Sequence, residues 1–239
     1  MEEQYTTNNL ILDMFDDNDL KEIAPYTFGN GNIAVFKKGM TFADMQKAHP
    51  TWNCKSAVDG VNHLKKLRIN KCKILYDLDA PGAELLYLPA ERNLGDTTKK
   101  PYVILTAGGG YAGVCSLVES IPTAAALNRL GIDAFCLNYR SGKLGLMPRP
   151  LEDMASALQV IQDHAEEWHL LGDQYTVCGF SAGGHLAGMW AVPQFGYQKY
   201  HLPKPKSVWL IYPMVNADIA EKAGKIGSSS TLVGNRNDE

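Results

Sequence analysis

Residues 177–185 read Val177-Cys178-Gly179-Phe180-Ser181-Ala182-Gly183-Gly184-His185, an apolar run that leads into a cluster of small residues. The apolar part predicts a short strand over Tyr175–Cys178, and the residues from Ala182 onward predict a helix. Between them lies the pattern G-x-S-x-G, in which a serine occupies a tight strand-to-helix turn and the glycines leave room for a strained backbone. Such a turn holds the hydroxyl clear of the backbone, as a nucleophile requires. The alternative interpretation is a tight turn of this kind that carries no chemistry.

The composition describes a globular protein with one large α/β domain, or with one domain and an extension. The chain has 239 residues, of which 45% are hydrophobic and 21% charged, and this is enough for a sizeable core. The net charge of -3 offers no basic surface, which argues against a nucleic-acid partner. No apolar stretch reaches the length of a membrane span, and the acidic start Met1-Glu2-Glu3-Gln4 does not resemble a signal peptide. We therefore expect no nucleic acid and no membrane as a partner.

The cysteines indicate a reducing compartment. There are five of them, and their odd number and scattered positions do not suggest a disulfide framework or a zinc site. Cys72, Cys136 and Cys178 lie in apolar, strand-like runs, where we expect buried free thiols. These features predict a cytoplasmic protein.

Residues 1–70 are interpreted as an N-terminal helical extension. The first part is polar and acidic and holds one short predicted strand, Ile33–Phe36. Thr41 followed by Asp44 predicts a capped helix start. A second helix is predicted over Ser56–Leu67, because its apolar residues recur at helical spacing. The extension could be a lid over a site, or it could dock on the sheet or on a neighbouring subunit.

Residues 71–239 are the predicted core, in which strands alternate with helices. Besides the strand before Ser181, the predicted strands are Lys73–Leu78, Glu84–Leu88, Tyr102–Thr106, Ile132–Leu137 and Ser207–Tyr212. The first two flank a turn sequence, so they predict a hairpin. Besides the helix after Ser181, helices are predicted from the region of Pro122 to Leu130 and over Leu151–Trp168. This alternation predicts a mainly parallel sheet with helices on both faces.

Two glycine-rich turns end neighbouring strands of this predicted sheet. One contains Ser181, and the other is Ala107-Gly108-Gly109-Gly110-Tyr111, which we call the glycine loop. Ligands of parallel sheets bind at the carboxyl ends of the strands, so we expect both turns to face one site. A phosphate-binding turn is the alternative interpretation of the glycine loop, although the loop lacks the G-x-G-x-x-G spacing and the lysine of a P-loop.

Four segments together resemble the α/β-hydrolase superfamily. More narrowly, they resemble its small esterase and lipase branch, which includes acetyl esterases, xylan acetyl esterases and feruloyl-esterase-like hydrolases. In order, the segments are the glycine loop, Asn138-Tyr139-Arg140, Arg149-Pro150-Leu151-Glu152-Asp153 and Gly179–His185. Their order and spacing follow the family pattern over residues 71–215. The resemblance implies an α/β-hydrolase-type sheet, mainly parallel, with helices on both faces.

The resemblance also implies a function. The chain would be a serine carboxylesterase that hydrolyses small acyl esters, such as acetyl groups on a sugar or an alcohol, through an acyl-serine intermediate. Ser181 would be the nucleophile, and the backbone N–H groups of Gly109, Gly110 and Ala182 would form the oxyanion hole. Tyr111 would contact the substrate, a small-molecule ester. No metal and no organic cofactor is implied.

The chain departs from the family pattern in two places. The family's glycine loop usually begins with a histidine that braces it, and this chain has Ala107 there. The family's acid and histidine follow the nucleophile on loops after two further strands, whereas one strand pattern, Ser207–Tyr212, follows the Ser181 helix in this chain. We therefore expect a C-terminally incomplete core that lacks the last strands. Asp218 is the closest downstream acid.

No histidine stands where the family pattern expects the base. His185 lies four residues beyond Ser181 on the predicted helix, and we expect its side chain to point into the packing between sheet and helix. The others are expected at the end of a helix, in a polar loop or in the extension, and they are His164, His169, His201, His49 and His63.

Three explanations of the missing acid and histidine stay open. The chain could be a fragment or shortened form of an esterase, it could take the missing loops from a second chain, or it could be a catalytically inactive binding or regulatory protein. A serine peptidase of the same fold is the alternative within enzymes. A sheet without its last strands exposes an edge, which favours a homo-oligomer or a second chain that completes the sheet.

Overall fold

The computed structural model describes residues 4–28, 36–93, 95–142 and 147–215. The first elements are a 3-10 helix, Ile11–Phe15, and the helices α1 (Ala24–Thr27), α2 (Phe42–Ala48) and α3 (Cys54–Ile69). The predicted strand Ile33–Phe36 lies outside the described residues except for Phe36, which is in a bend. Asp218 also lies outside them.

Side-chain caps explain where α2 and α3 begin. The hydroxyl oxygen of Thr41 accepts from the N–H of Asp44 at 3.0 Å, and the Asp44 carboxylate in turn accepts from the N–H of Thr41 at 3.4 Å. This capping box confirms the predicted start of α2. The side chain of Asn53 accepts from the N–H of Ser56 at 3.0 Å, so α3 begins at Cys54, two residues earlier than predicted.

Six strands of the described chain form one sheet. They are β1 (Leu75–Asp77), β2 (Glu84–Leu88), β3 (Lys100–Thr106), β4 (Asp133–Asn138), β5 (Leu170–Phe180) and β6 (Ser207–Ile211). Their order across the sheet is β1-β2-β4-β3-β5-β6. β1 and β2 form the predicted hairpin, and β2 is also antiparallel to β4. The pairs β4–β3, β3–β5 and β5–β6 are parallel, which confirms a mainly parallel sheet.

Helices cover both faces of the sheet. The helices of the core are α4 (Ser120–Arg129), α5 (Arg149–Asp163) and α6 (Ser181–Ala191). On β3, Tyr102 and Ile104 belong to an apolar cluster shared with α5 and α6, whereas Val103 and Leu105 belong to a second cluster shared with α3 and α4. This alternation is the period of two that a strand imposes. The segment before β1 therefore buries its apolar side chains on the α4 face of the sheet.

The boundary between α5 and β5 differs from the sequence prediction. The helix predicted up to Trp168 ends at Asp163 and is followed by turns. These turns place the indole of Trp168 against the rings of Tyr76 and Tyr87, with centroids 5.0 and 4.5 Å apart. β5 then starts at Leu170, earlier than predicted. Packing of the aromatic side chains thus outweighs the local preference for helix.

The cysteines follow the prediction in part. Cys136 and Cys178 are buried free thiols, as expected. Cys72 is partly exposed, because it lies in the turn between α3 and β1 and not within a strand. Among the described residues, no helix is both long and apolar enough to cross a membrane.

Candidate active site

The serine of the G-x-S-x-G pattern lies at the junction of β5 and α6. β5 ends at Phe180, and α6 begins at Ser181, whose φ is 49°. This left-handed conformation is uncommon for a residue with a side chain and costs about 1–3 kcal/mol, so surrounding contacts must hold it. One of them is the N–H of Met214, after β6, which donates to the carbonyl of Ser181 at 2.9 Å. Ser181 therefore stands on a strained turn at the carboxyl end of β5.

Close packing explains both glycines of the pattern. A Cβ on Gly179 would lie 2.2 Å from the carbonyl oxygen of Gly183, and a Cβ on Gly183 would lie 2.1 Å from the carbonyl oxygen of Thr106. Both distances are far shorter than the roughly 3.5–4 Å of normal contact between nonbonded carbon atoms. The first turn of α6 thus packs directly on the ends of β3 and β5, with no room for a side chain.

The glycine loop lies against Ser181. A Cβ on Gly108 would be 2.8 Å from the Cβ of Ser181 and 3.0 Å from the carbonyl oxygen of Phe180. This proximity follows from the sheet, because β3 and β5 are parallel neighbours with Thr106 opposite Gly179. The two glycine-rich turns therefore meet in one place, as the sequence predicted.

The segment after β4 braces the glycine loop. The hydroxyl of Tyr139 donates to the carbonyl of Ala107 at 2.7 Å. The N–H of Gly142 donates to the carbonyl of Tyr111 at 2.8 Å. These two bonds hold the first and last residues of the loop, so the loop is supported although Ala107 stands in place of the family's histidine.

Tyr111 and His185 form a pair beside the loop. The side chain of Tyr111 is fully buried, and a hydrogen bond of 2.9 Å joins its hydroxyl to Nδ1 of His185. Burial lowers the pKa of His185, which favours the neutral imidazole, and burial raises the pKa of Tyr111. His185 is partly exposed and contacts the loop, whereas we expected it between sheet and helix. A substrate contact by Tyr111 stays a prediction, since its side chain is fully buried here.

The other histidines are engaged elsewhere in the fold. The ring of His63 hydrogen-bonds to Asn128 at 2.7 Å, and burial lowers the pKa of His63. The others are His164, which bonds to a carbonyl of α5, His49, which stacks on Trp52, and His169 and His201, which have positive φ. All six histidines are described, and none of them hydrogen-bonds to the hydroxyl of Ser181. In the described ranges, no three or more His, Cys, Asp or Glu residues form a group that could hold a metal ion.

The predicted oxyanion donors lie in the two turns that meet. Gly109 and Gly110 have φ of 135° and 60°, and within the described part of the chain their N–H groups make no hydrogen bond. Ala182 is in the first turn of α6, where N–H groups have no partner inside the helix and the helix dipole is positive. That these groups bind an oxyanion stays a prediction.

Two of the segments that resemble the family bind each other. Nε of Arg140 donates to Oδ1 of Asp153 at 2.7 Å, and the N–H of Arg140 donates to Oδ2 at 2.7 Å. Burial raises the pKa of Asp153 to about 6, although both bonds from Arg140 oppose that rise. These contacts tie the end of β4 to the first turns of α5, so their role is to support the fold near the site.

Sequence reasoning missed Glu119 and Tyr212, which meet at the glycine loop. Oε2 of Glu119 accepts from the N–H of Gly108 at 2.5 Å, and Oε1 accepts from the hydroxyl of Tyr212 at 2.8 Å. Glu119 directly precedes α4, where an acidic residue is ordinary because it complements the helix dipole. Its partners are far away along the chain, so no local pattern marked it.

A known family model matches the region that holds this site. The BD-FAE family model matches residues 86–202, just under half of the chain. The matched region contains both the glycine loop and the turn at Ser181.

Individual proteins are similar to the same part of the chain. Endo-1,4-beta-xylanase B from Butyrivibrio fibrisolvens is 32% identical over 130 residues, which are 50% of this chain and 20% of that protein. An acetylxylan esterase from Xylanibacter ruminicola is 28% identical over 116 residues, which are 48% of this chain and 23% of that protein. The chain thus spans less than a quarter of the length of either curated relative. A solved structure of a lipase/esterase from Lactobacillus plantarum is 21% identical with a TM-score of 0.53, covers 65% of this chain and 69% of its own, and supports the fold.

Proposed function

We propose that this chain is a serine carboxylesterase of the α/β-hydrolase superfamily that acts on small acyl esters. One observation carries the proposal. Ser181 occupies a strained strand-to-helix turn at the carboxyl end of β5, and the glycine loop packs against it. Such a turn is the nucleophile elbow of serine hydrolases with this fold.

In the proposed reaction, Oγ of Ser181 forms a bond to the ester carbonyl carbon while its proton passes to a base. The carbonyl oxygen becomes an oxyanion, to which the N–H groups of Gly109, Gly110 and Ala182 donate. Removing one such donor typically lowers turnover about 10²–10³-fold. Departure of the alcohol leaves an acyl-serine, and water then releases the acid and restores the Ser181 hydroxyl.

Acetyl esters of carbohydrates are the proposed substrates. This choice rests on the acetylxylan esterase and the xylanase, each of which the chain resembles along about half of its length.

Labelling with a fluorophosphonate tests the nucleophile directly. The purified chain is treated with the probe and digested, and the modified residue is identified by mass spectrometry. We expect one label per chain at Ser181, hydrolysis of 4-nitrophenyl acetate and release of acetate from acetylated xylan. Ser181→Ala should lose both the label and the activity while its circular dichroism spectrum stays unchanged. Ser56→Ala, on α3 and apart from the site, is the matched control and should keep both.

Other outcomes would contradict the proposal. A folded chain that takes no label has no base within reach of Ser181, and a catalytically inactive binding or regulatory protein would then be the better interpretation. Cleavage of peptides in preference to esters would indicate a serine peptidase. A label at another serine would refute the assignment of Ser181.

A further inference from the structure

Glu119 joins three segments that surround Ser181. Its carboxylate accepts from the N–H of Gly108 in the glycine loop at 2.5 Å and from the hydroxyl of Tyr212, after β6, at 2.8 Å. The third segment, the serine turn, is reached through Gly108, since a Cβ on Gly108 would lie 2.8 Å from the Cβ of Ser181 and 3.2 Å from Oε2 of Glu119. Gly108 therefore lies between the Glu119 carboxylate and Ser181.

The side chain of Glu119 serves the loop and not its own helix. Glu119 is the residue before α4, yet its carboxylate makes no capping bond to the helix. Its carbonyl does accept from Thr123 in the first turn of α4, which fixes the backbone of Glu119. The carboxylate of Glu119 thus binds the N–H of Gly108 instead of a free N–H group in the first turn of α4. This arrangement indicates a specific role at Gly108.

The N–H groups of the glycine loop differ in whether they have a hydrogen-bond partner among the described residues. The N–H of Gly108 is used by Glu119, and the carbonyl of Gly108 accepts from the N–H of Cys115 at 2.8 Å, so both polar groups of this residue are fixed. The next two N–H groups, of Gly109 and Gly110, make no hydrogen bond within the described residues. The bond to Glu119 thus fixes the start of the segment that carries these two groups, and the N–H of Ala112 holds the carbonyl of Gly109 at 3.0 Å.

Resting on the serine esterase function proposed above, we propose that Glu119 is a positioning residue that fixes the glycine loop so that the N–H groups of Gly109 and Gly110 face the acyl oxygen at Ser181. Tyr212 holds the second carboxylate oxygen and thereby links the loop to the segment whose Met214 N–H holds Ser181. A carboxylate suits this place because it accepts at both oxygens. Glutamine retains one acceptor and its shape, whereas alanine retains neither.

The first test needs no catalytic activity. In the ¹⁵N-labelled chain, the Gly108 amide proton should resonate downfield and exchange slowly with solvent, as a charge-assisted hydrogen bond requires. Glu119→Ala should shift that resonance upfield and speed its exchange about 10-fold or more, in line with the loss of a hydrogen bond to a charged group. Glu119→Gln should keep most of the protection. Glu91→Ala, which removes an exposed carboxylate paired with Lys66, is the control and should leave Gly108 unchanged.

Kinetics separate a positioning role from a purely structural one. With 4-nitrophenyl acetate, Glu119→Ala should lower kcat about 10–100-fold and change KM less than about 3-fold, because oxyanion donors act in the transition state. Glu119→Gln should restore most of kcat. If the wild-type chain is inactive, the esterase proposal fails while the amide measurement still decides the role of Glu119 in the loop. An active wild type whose Glu119→Ala variant keeps its kcat would overturn the positioning role.

If Glu119→Ala does not fold, a pH titration of the Gly108 amide in the wild type tests the role of Glu119 instead. The Gly108 amide shift should follow protonation of Glu119, and Glu119→Gln should abolish this titration. The other titratable groups shown to interact with Glu119 are the phenols of Tyr139 and Tyr212, whose pKa burial raises. Burial raises the pKa of Glu119, and its bonds to Gly108 and Tyr212 oppose the rise. A Gly108 amide that does not titrate, or that titrates equally in Glu119→Gln, would refute the proposal.

Discussion

Around Ser181, single backbone atoms occupy the places that side chains would fill. The carbonyl oxygen of Thr106 lies 2.1 Å from the place of a Cβ on Gly183, and the carbonyl oxygen of Gly183 lies 2.2 Å from the place of a Cβ on Gly179. These contacts pack α6 onto the ends of β3 and β5 and hold Ser181 at its φ of 49°. The strained conformation of Ser181 therefore depends on the absence of side chains at Gly179 and Gly183.

We expect Gly183→Ala to destabilise the fold severely. The new Cβ would lie 2.1 Å from the carbonyl oxygen of Thr106, and both atoms belong to rigid elements. The expected loss in the free energy of unfolding is about 3–5 kcal/mol, at the upper end for overpacking. Urea denaturation followed by circular dichroism measures it.

Gly188→Ala on the same helix is the matched control for this prediction. The nearest atom to its added Cβ is Cδ2 of Leu210 at 4.0 Å, which is ordinary contact. Because alanine is the better helix former, this variant should be unchanged or more stable by about 0.5–1 kcal/mol. Equal stability of the two variants would show that the contact at Gly183 does not constrain the turn.

At the level of residues, the sequence predicts those features whose constraints lie close together along the chain. The G-x-S-x-G pattern indicates the strained turn because all of its constraints lie within five residues. Glu119 gives no such signal, since its bonds to Gly108 and Tyr212 depend on how distant strands meet. His185 is an intermediate case, because its helix was predicted but its partner Tyr111 comes from another loop.

At the level of elements, β1, β2 and α5 bring three carboxylates together. Asp77 on β1 lies opposite Glu84 on β2, and the charge of Asp153 on α5 acts on Glu84. Burial raises the pKa of Glu84 to about 7, and the charges of Asp153 and Asp77 add to that rise. Asp153 has Arg140 as its partner, and among the described residues Glu84 makes no ion pair. Protonation of Glu84 therefore reduces the electrostatic repulsion that its carboxylate experiences from Asp77 and Asp153.

We predict that Glu84→Gln stabilises the protein at alkaline pH. The folded-state pKa of about 7 lies above the ordinary value of 4.5, so the folded state holds the proton more tightly than the unfolded chain does. The wild type therefore loses stability as pH rises through this interval, and the glutamine variant does not. Near pH 8 the variant should be more stable by about 1–2 kcal/mol, less than full linkage gives, because Glu84 is partly exposed.

Urea denaturation at about pH 5 and about pH 8 checks this prediction. The difference between Glu84→Gln and the wild type should grow with pH. Glu91→Gln is the control, because Lys66 holds the pKa of Glu91 below its ordinary value and removing that charge brings no gain at alkaline pH. A difference for Glu84→Gln that is the same at both pH values would show that its carboxyl titrates normally.

The interiors of the elements were predictable, and several of their ends were not. Apolar periodicity located the core of every described strand, and the Thr41 capping box located the start of α2. The end of α5 could not be read from periodicity, because the helical pattern continues to Trp168 while the indole is drawn into an aromatic cluster formed by other elements. Element ends depend on partners that a local pattern does not contain.

At the level of the whole molecule, alternation predicted a parallel sheet but not its strand order. Placing β4 between β2 and β3 requires a crossover that no local pattern specifies. That order matters for the site, because it puts β3 beside β5 and so the glycine loop beside Ser181. The same order leaves β6 at the edge of the described sheet.

We predict that the β6 edge causes the chain to associate. Trp209, Leu210 and Ile211 form a continuous apolar run, which is typical of a strand covered on both faces, yet Trp209 is 43% exposed here. Exposed apolar edges pair with other strands. Light scattering should therefore show a mass that rises with concentration, and Trp209→Lys should suppress the rise because a charged edge resists pairing. Leu130→Lys, at a site 75% exposed and outside the sheet, is the control. A wild type that stays monomeric, or equal suppression by both variants, would contradict association through β6.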